Sequence, residues 1–379
     1  TSWVAVLRKP AAVLFSDVPI TVLLVIVPFC VARPTLCSAV DRKPAAVFVE
    51  IFRRSGVAIT EAEAARILAA HASGQTLAPI SDRVDLTLDD AGNPATAATN
   101  TAKLLEQGVL ALFGYYGSAQ VTASYPAIKD TEVLMFAPMA AADELRGAVY
   151  PNVYSLRPGY TEEAAAITRH AETLGARKLA VVHARDSESM AALDAAERTM
   201  PSLGANLVIK APLDSVDKAM AARPESVLLI SDARGAAGAV RELRTKGFRG
   251  PIYGFSNTGE SLLAEQLGPA GAGVVVVRVV PKSDNAKMAV VRELQSDAAQ
   301  AKLGKPNVYM LEGYIAARAI TEALRRMPGK DANRARFKKA IEALDDLSIG
   351  GFRVHFVDER VGSKLVELSL IDSQGRVRE

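Results

Sequence analysis

Three loops carry the residues best suited to holding a small molecule. The first runs from Leu110-Ala-Leu-Phe113 into Gly114-Tyr-Tyr-Gly-Ser118. Its two glycines let the backbone approach a ligand closely. Ser118 is placed to cap the helix that should follow and to present its hydroxyl, and the N–H groups of a helix start favour an anion such as a carboxylate. Tyr115 and Tyr116 offer ring faces to an apolar or cationic group, although a plain capped turn with packed tyrosines would have the same sequence. The second loop, Pro138-Met-Ala-Ala-Ala142, contains Ala140 and Ala141. It is small and apolar, which suits close backbone contact but supplies no side-chain donor. The third, Arg157-Pro-Gly-Tyr-Thr-Glu162, breaks the pattern of elements around it. Pro158 and Gly159 suit a hinge strand, and Tyr160 and Glu162 face either a cleft or solvent.

Catalytic groups do not assemble in the same way. The chain has no Gly-x-x-x-x-Gly-Lys-Ser/Thr loop, no Gly-x-Ser-x-Gly elbow and no His-Glu-x-x-His. Gly235-Ala-Ala-Gly238 lacks the Gly-x-Gly opening of a dinucleotide fingerprint, so close packing of a helix on a strand explains it better. Ser187 and Ser189 lie near His183 in sequence, but a strand end followed by a capped helix accounts for them. The four histidines, His71, His170, His183 and His355, show no metal-ligand spacing. The two cysteines, Cys30 and Cys37, both lie near the N-terminus, so the body has neither a disulfide framework nor a cysteine metal site. No cofactor or metal is expected. A net charge of +3 gives no basic surface for nucleic acid.

The elements that must position these loops follow an alternating pattern. With 379 residues, 49% of them hydrophobic and 23% charged, the chain is long enough for two well-buried lobes. Strands are expected at 45–52, 84–88, 109–113, 133–136, 179–183, 206–210, 227–231, 252–255, 274–280, 352–356 and 366–371. Helices are expected at 60–73, 94–107, 119–130, 161–175, 187–203, 235–247, 286–302 and 308–327. Such alternation means parallel sheets with helices on both faces. More than ten strands exceed one compact sheet, so two doubly wound α/β lobes are expected. Sheets of this kind bind ligands at the carboxyl ends of their strands.

Residues 1–44 differ from the rest. An uncharged apolar run over 18–32 follows Arg8 and Lys9 and precedes Cys37-Ser-Ala39. The run is shorter than the ~20 residues a membrane-spanning helix needs and resembles an export signal. The alternative is a non-native N-terminal extension.

From about Val47 to Arg378 the chain resembles the periplasmic binding proteins of the leucine/isoleucine/valine type, the type I receptors of ATP-driven amino-acid importers. The resemblance rests on Leu86-Thr-Leu-Asp-Asp90 with Asn93-Pro94, Ala111-Leu-Phe-Gly114 with Ser118, Phe136-Ala-Pro138, Asn152-Val-Tyr-Ser-Leu-Arg157 and Glu312-Gly-Tyr314 with Glu322-Ala-Leu324. It continues in Gly350-Gly-Phe-Arg-Val-His-Phe356 and Gly362-Ser-Lys-Leu-Val-Glu-Leu-Ser369. It implies a solute receptor rather than an enzyme, located in the periplasm, that captures a small amino-acid-like ligand between two lobes. Delivery would be to the membrane subunits of an ABC importer. A three-segment hinge near 157–160, 280–281 and 347–351 would join an N-terminal lobe (45–157 with 281–347) to a C-terminal lobe (158–280 with 348–379). By position, Ser118 matches the serine that holds the ligand carboxylate, with Gly117 and Tyr116 beside it. Ala140 and Ala141 fall where the family has a pair that contacts the ligand backbone, and Ser55 falls in the first cleft loop. Glu162 lies near an acidic hinge residue, and Tyr160 lies close by. Glu188 stands where an aromatic is usual, and Ser256 where a ligand-binding glutamate is common, with Asp232 as a replacement charge. The alternatives are a ligand-sensing module of a signalling system, which would carry a transmembrane or effector segment after the lobes, and an enzyme on a doubly wound fold.

Overall fold

The computed structural model describes residues 5–8, 21–24, 88–300, 303–327 and 333–379. The expected strand at 45–52, all but the last residue of the one expected at 84–88, the expected helix at 60–73, both cysteines and Ser55 lie outside these residues. In chain order the chain forms β1 (Ala5–Arg8), β2 (Thr21–Leu24), α1 (Pro94–Glu106), β3 (Ala111–Phe113), α2 (Ser118–Ser124), β4 (Leu134–Phe136) and β5 (Val153–Tyr154). There follow α3 (Tyr160–Thr173), β6 (Lys178–His183), α4 (Ser187–Ser202), β7 (Asn206–Pro212), α5 (Val216–Ala221), β8 (Ser226–Ile230), α6 (Ala233–Thr245), β9 (Ile252–Gly254) and α7 (Glu260–Leu267). The rest of the chain gives β10 (Val274–Arg278), α8 (Ala289–Gln300), α9 (Val308–Arg326), α10 (Arg334–Glu342), β11 (Leu347–Ile349), β12 (Phe352–Val354), β13 (Glu367–Ile371) and β14 (Val377–Arg378). Among the described residues no helix is long and apolar enough to cross a membrane.

The chain divides into two compact units. Unit 2 comprises Ala141–Asp143, Arg157–Ser283 and Lys364–Glu379. Its sheet has seven strands in the order β14-β13-β10-β9-β8-β6-β7. β6 to β10 run parallel, and β13 and β14 add an antiparallel edge. The alternation of side chains explains why its strands read as unbroken apolar runs. Val227 and Leu229 join a core against α5, α6 and α7. Leu228 and Ile230 join a separate core against α3 and α4. A sheet buried on both faces has no polar side to display, and that is the doubly wound arrangement.

Unit 1 comprises Thr1–Ala140, Glu144–Leu156 and Asp284–Ser363. Its described parallel sheet is β3-β4-β5. β1 and β2 form an antiparallel pair, as do β11 and β12. The chain returns to unit 2 after Ser363, later than the expected 347. The cause is in the tail itself. β12 pairs with β11, Ser155 N–H donates to Arg360 O at 2.8 Å, and the buried Phe356 ring packs against Phe136 and Tyr154 at centroid distances of 5.7 and 5.9 Å.

The helix expected over 119–130 stops after Ser124. Tyr125-Pro126-Ala127 tightens into a 3₁₀ turn, because proline cannot donate the next helical hydrogen bond.

Candidate ligand-binding site

The residues singled out by sequence fall at strand ends. In unit 2, β9, β8 and β6 are adjacent and parallel, so their carboxyl ends lie on one edge of the sheet. Ser256 follows β9, Asp232 follows β8, and Glu188 sits in the first turn of α4 after β6. In unit 1 the parallel neighbours β3 and β4 lead into Tyr116-Gly117-Ser118 and into Ala140. An extra bridge pairs Tyr116 with Met139, which ties these two exits together.

In unit 1, Gly117 rather than Ser118 holds the cap position of α2, with φ +92°, a conformation glycine adopts without strain. A side chain there would be strained by that φ and would also displace the Gln120 amide, so the backbone conformation favours glycine. Ser118 becomes the first helical residue and is buried. Tyr116 is half-buried. Tyr115 is buried and bonds Thr101 through its hydroxyl at 2.5 Å. Ala140 is buried, and its carbonyl accepts from Arg146 Nη2 at 2.9 Å.

In unit 2, Ala141, Tyr160 and Glu188 come together. Tyr160 N–H donates to Ala141 O at 3.0 Å, the Tyr160 hydroxyl donates to Glu188 Oε1 at 2.8 Å, and Ala141 N–H donates to the same oxygen at 3.3 Å. Tyr160 is fully buried and meets Phe255 edge-on at 5.2 Å. Burial, then the negative charge of Glu188, pushes its hydroxyl far above the ordinary tyrosine value, so it stays a donor.

Ser256 has a different partner. Its N–H donates to Glu163 Oε2 at 2.8 Å and its hydroxyl to Glu163 Oε1 at 2.7 Å. Arg157 Nη2 reaches Glu163 Oε1 at 3.0 Å and also contacts the Ser256 hydroxyl. Burial pushes the Glu163 carboxyl above its ordinary value, and Arg157 and Ser256 pull it back. Sequence reasoning missed Glu163. The signal was available: Tyr160, Glu163, Ala164, Ile167 and Ala171 mark one buried helical face, and Glu162 falls off it. Glu162 is exposed and turns back to accept from Gly159 N–H at 3.1 Å. Asp143 accepts from Thr161 N–H and from its hydroxyl at 3.1 and 2.8 Å. The start of α3 is therefore satisfied by the chain itself. Asp232 caps α6, accepting from Gly235 N–H at 2.8 Å.

A cavity of about 330 Å³ lies elsewhere in unit 1, where Glu293, Asp297, Tyr314, Arg318 and Leu347 meet. Its polar groups engage each other across α8 and α9: Arg318 pairs with Glu293, and Tyr314 donates to Asp297 at 2.9 Å. It includes none of the strand-end residues. Among the described residues no group of three or more His, Cys, Asp or Glu could hold a metal ion.

The family model described as periplasmic binding protein matches residues 85–361. The chain belongs to that family. Solved structures agree on the type I fold of a periplasmic binding protein. A substrate-binding periplasmic protein from Ralstonia solanacearum aligns at a TM-score of 0.72 and 22% identity, covering 89% of this chain and 94% of that one. A leucine binding protein from Thermotoga maritima aligns at 0.70 and 18%, covering 90% and 93%. A branched-chain amino acid ABC transporter protein from Thermus thermophilus, solved with bound valine, aligns at 0.67 and 17%, covering 77% and 82%. No curated protein matches the sequence. Both family and fold are those of ligand-binding proteins.

Proposed function

We propose that this periplasmic binding protein is an extracytoplasmic receptor that captures a small amino-acid-like solute and hands it to the membrane subunits of an ABC importer. The observation that carries this reading is the placement of the strand-end residues. Parallel strands in each unit end in loops that present small residues, a hydroxyl or a carboxylate, and ligands of doubly wound sheets bind at such ends. Ser118 is assigned the solute carboxylate, with Gly117 and Tyr116 lining the same loop. The backbones of Ala140 and Ala141 contact the solute main chain. Within unit 2, Tyr160 and Glu188 are the candidate solute contacts. Asp232 and Ser256 shape it through the structures they hold, because Asp232 is engaged as a helix cap and Ser256 by Glu163. One similar structure is named a leucine binding protein and another was solved with bound valine, which supports amino acids as the first class to test.

The experiment is a thermal-shift screen of amino acids, amides and small carboxylates. A solute that binds only the folded chain stabilises it by mass action, about 2.7 kcal/mol at a hundred times Kd. One member at least should raise the melting temperature in a saturable way. A panel that leaves it unchanged throughout would sink the proposal.

A further inference from the structure

We propose that Gly114 and Ala137 are positioning residues, a matched pair of kinks that fixes both strand-end loops of unit 1 as one preformed body. The inference rests on the receptor reading above and adds to it two residues that act without touching the solute.

β3 and β4 pair in parallel from Ala111↔Leu134 to Phe113↔Phe136. The pairing then stops, and it resumes in the same register at Tyr116↔Met139. Gly114 and Ala137 stand opposite each other in that gap, and both have left-handed backbones, with φ +61° and +50°. Two neighbouring strands therefore kink at one level, directly before Tyr116-Gly117-Ser118 on one side and Met139-Ala140 on the other. Glycine takes this conformation freely. For alanine it is disfavoured by roughly tenfold, and a residue that precedes a proline, as Ala137 precedes Pro138, is normally extended.

A strained residue persists only where its surroundings over-determine it, and hydrogen bonds on both sides of the kink do so. Ala137 N–H donates to Tyr154 O of β5 at 2.7 Å, and Gly114 N–H donates to Phe136 O at 2.9 Å. Beyond the kink, Met139 N–H donates to Tyr115 O at 2.7 Å and Gly117 N–H donates to Met139 O at 3.1 Å. These two bonds run in opposite senses, with one donor on each loop, so displacing either loop breaks both. Tyr115 is buried and anchored to α1 through Thr101, which holds the joined loops against the rest of the unit. Loops ordered in advance lose little affinity to being ordered by a solute. The strain at Ala137 marks a backbone set by this joint arrangement and not by local preference.

The test is hydrogen exchange on the full chain without solute, read at the Gly117 and Met139 amides. The control is Met135 N–H, which lies before the kink and donates to Asn152 O at 2.8 Å. Gly114→Ala puts a second alanine into the kink, so both loop amides should lose protection by roughly tenfold while Met135 holds. Adding Ala137→Gly to that variant restores one alanine and one glycine, and protection should return to within about threefold. Ala137→Gly alone should raise the melting temperature by about 2 °C, although alanine to glycine inside an ordinary strand lowers it. Leucine and valine then probe affinity by calorimetry. Ala137→Val carries a β-branched side chain that a left-handed backbone does not tolerate. It should bind them at least tenfold more weakly with Met135 still protected, while Ala137→Gly stays within about twofold. Unchanged exchange at Met139 in Gly114→Ala overturns the inference, as does a loss that Ala137→Gly fails to recover. If Gly114→Ala does not fold, a fall in the melting temperature of Ala137→Gly overturns it instead. An unaltered chain that binds neither leucine nor valine counts against the receptor reading, and the exchange results, which need no solute, still decide the inference.

Discussion

The pair Arg157 and Glu163 is the most consequential contact between single residues in unit 2. The two side chains are 6% and 0% exposed, so neither charge can turn to water if its partner is removed. Arg157→Ala should lower the unfolding free energy by about 3 kcal/mol, the cost of stranding a buried charge. Urea denaturation would measure this, and a loss below about 1 kcal/mol would mean the pair is not the buried bond described. The pH dependence has a definite sign. A carboxyl whose folded value is raised is more easily protonated in the folded chain than in the unfolded one. Its stabilising contribution is full below the unfolded value near 4.5 and is lost as pH rises through the folded value. Without Arg157 the upward push of burial is unopposed, so the deficit of Arg157→Ala should narrow as pH is lowered towards 4.5. At this scale sequence was a partial guide. It placed Ser118, Ala140, Glu188, Asp232 and Ser256 beside strand ends because glycine, serine and proline mark where strands stop. It left Glu162 facing either a cleft or solvent and did not single out Glu163, because adjacent glutamates differ only in helical phase. That phase was fixed by Tyr160 and Ile167, not by the glutamates.

Among elements, the contact of α3 with β9 carries a titratable group. His170 Nδ1 meets the Tyr253 hydroxyl at 3.0 Å, and the rings sit edge-to-face at 5.7 Å. Burial lowers the histidine below its ordinary value and pushes Tyr253 up to about 12. Because the unfolded chain takes up the histidine proton at a higher pH than the folded one, the His170 contribution is present above about pH 6.5 and is lost as pH falls through the lowered folded value. Replacing His170 by Asn should therefore flatten the decline in stability between pH 7 and pH 5, as followed by denaturant melts at each pH. An unchanged slope would show that the ring takes up its proton equally in the folded and unfolded chains. The long elements here were legible. β8 and β10 are apolar at every position or nearly so, and α3, α4, α6, α8 and α9 run 12 residues or more with a helical period. Short ones escaped. α5 has six residues and α7 eight, and neither is long enough for periodicity to rise above chance. α10 shows only Phe337, Ala340 and Ile341 as buried positions. β5 has two residues and is held by pairing to β4, a tertiary cause that no local pattern reveals.

At the scale of the molecule, two α/β lobes followed from strand count and alternation, but the path of the tail did not, because it depends on which strands accept it. The tail is integral to unit 2. β13 pairs antiparallel with β10 from Val275↔Leu370 to Arg278↔Glu367, and β14 pairs with β13. Ile371 is fully buried in the core that also holds Val274, Val276, Leu263 and Leu267. Arg278 is 2% exposed at its side chain and is paired with Glu367 and Glu379, both contributed by the tail. Truncation after Ser363 would therefore remove three things together. The core would lose Ile371, β10 would become an edge strand with the sequence Val-Val-Val-Val-Arg, and Arg278 would lose both of its carboxylates. An apolar, unpaired edge of that kind recruits other chains, and a buried guanidinium without a counter-charge costs several kcal/mol. The expected outcome is a protein that aggregates on expression, or one in which only unit 1 stays cooperatively folded while the amides of β6, β8 and β9 in unit 2 lose protection from hydrogen exchange. A truncated chain whose β8 amides remained as protected as in the full chain would show that the parallel strands of unit 2 are stable without their antiparallel edge. The double substitution Glu367→Gln with Glu379→Gln separates the causes: it keeps the strand and Ile371 and removes only the charges facing Arg278. If loss of the edge and core dominates, the double variant should fold and retain β8 protection while the truncation does not.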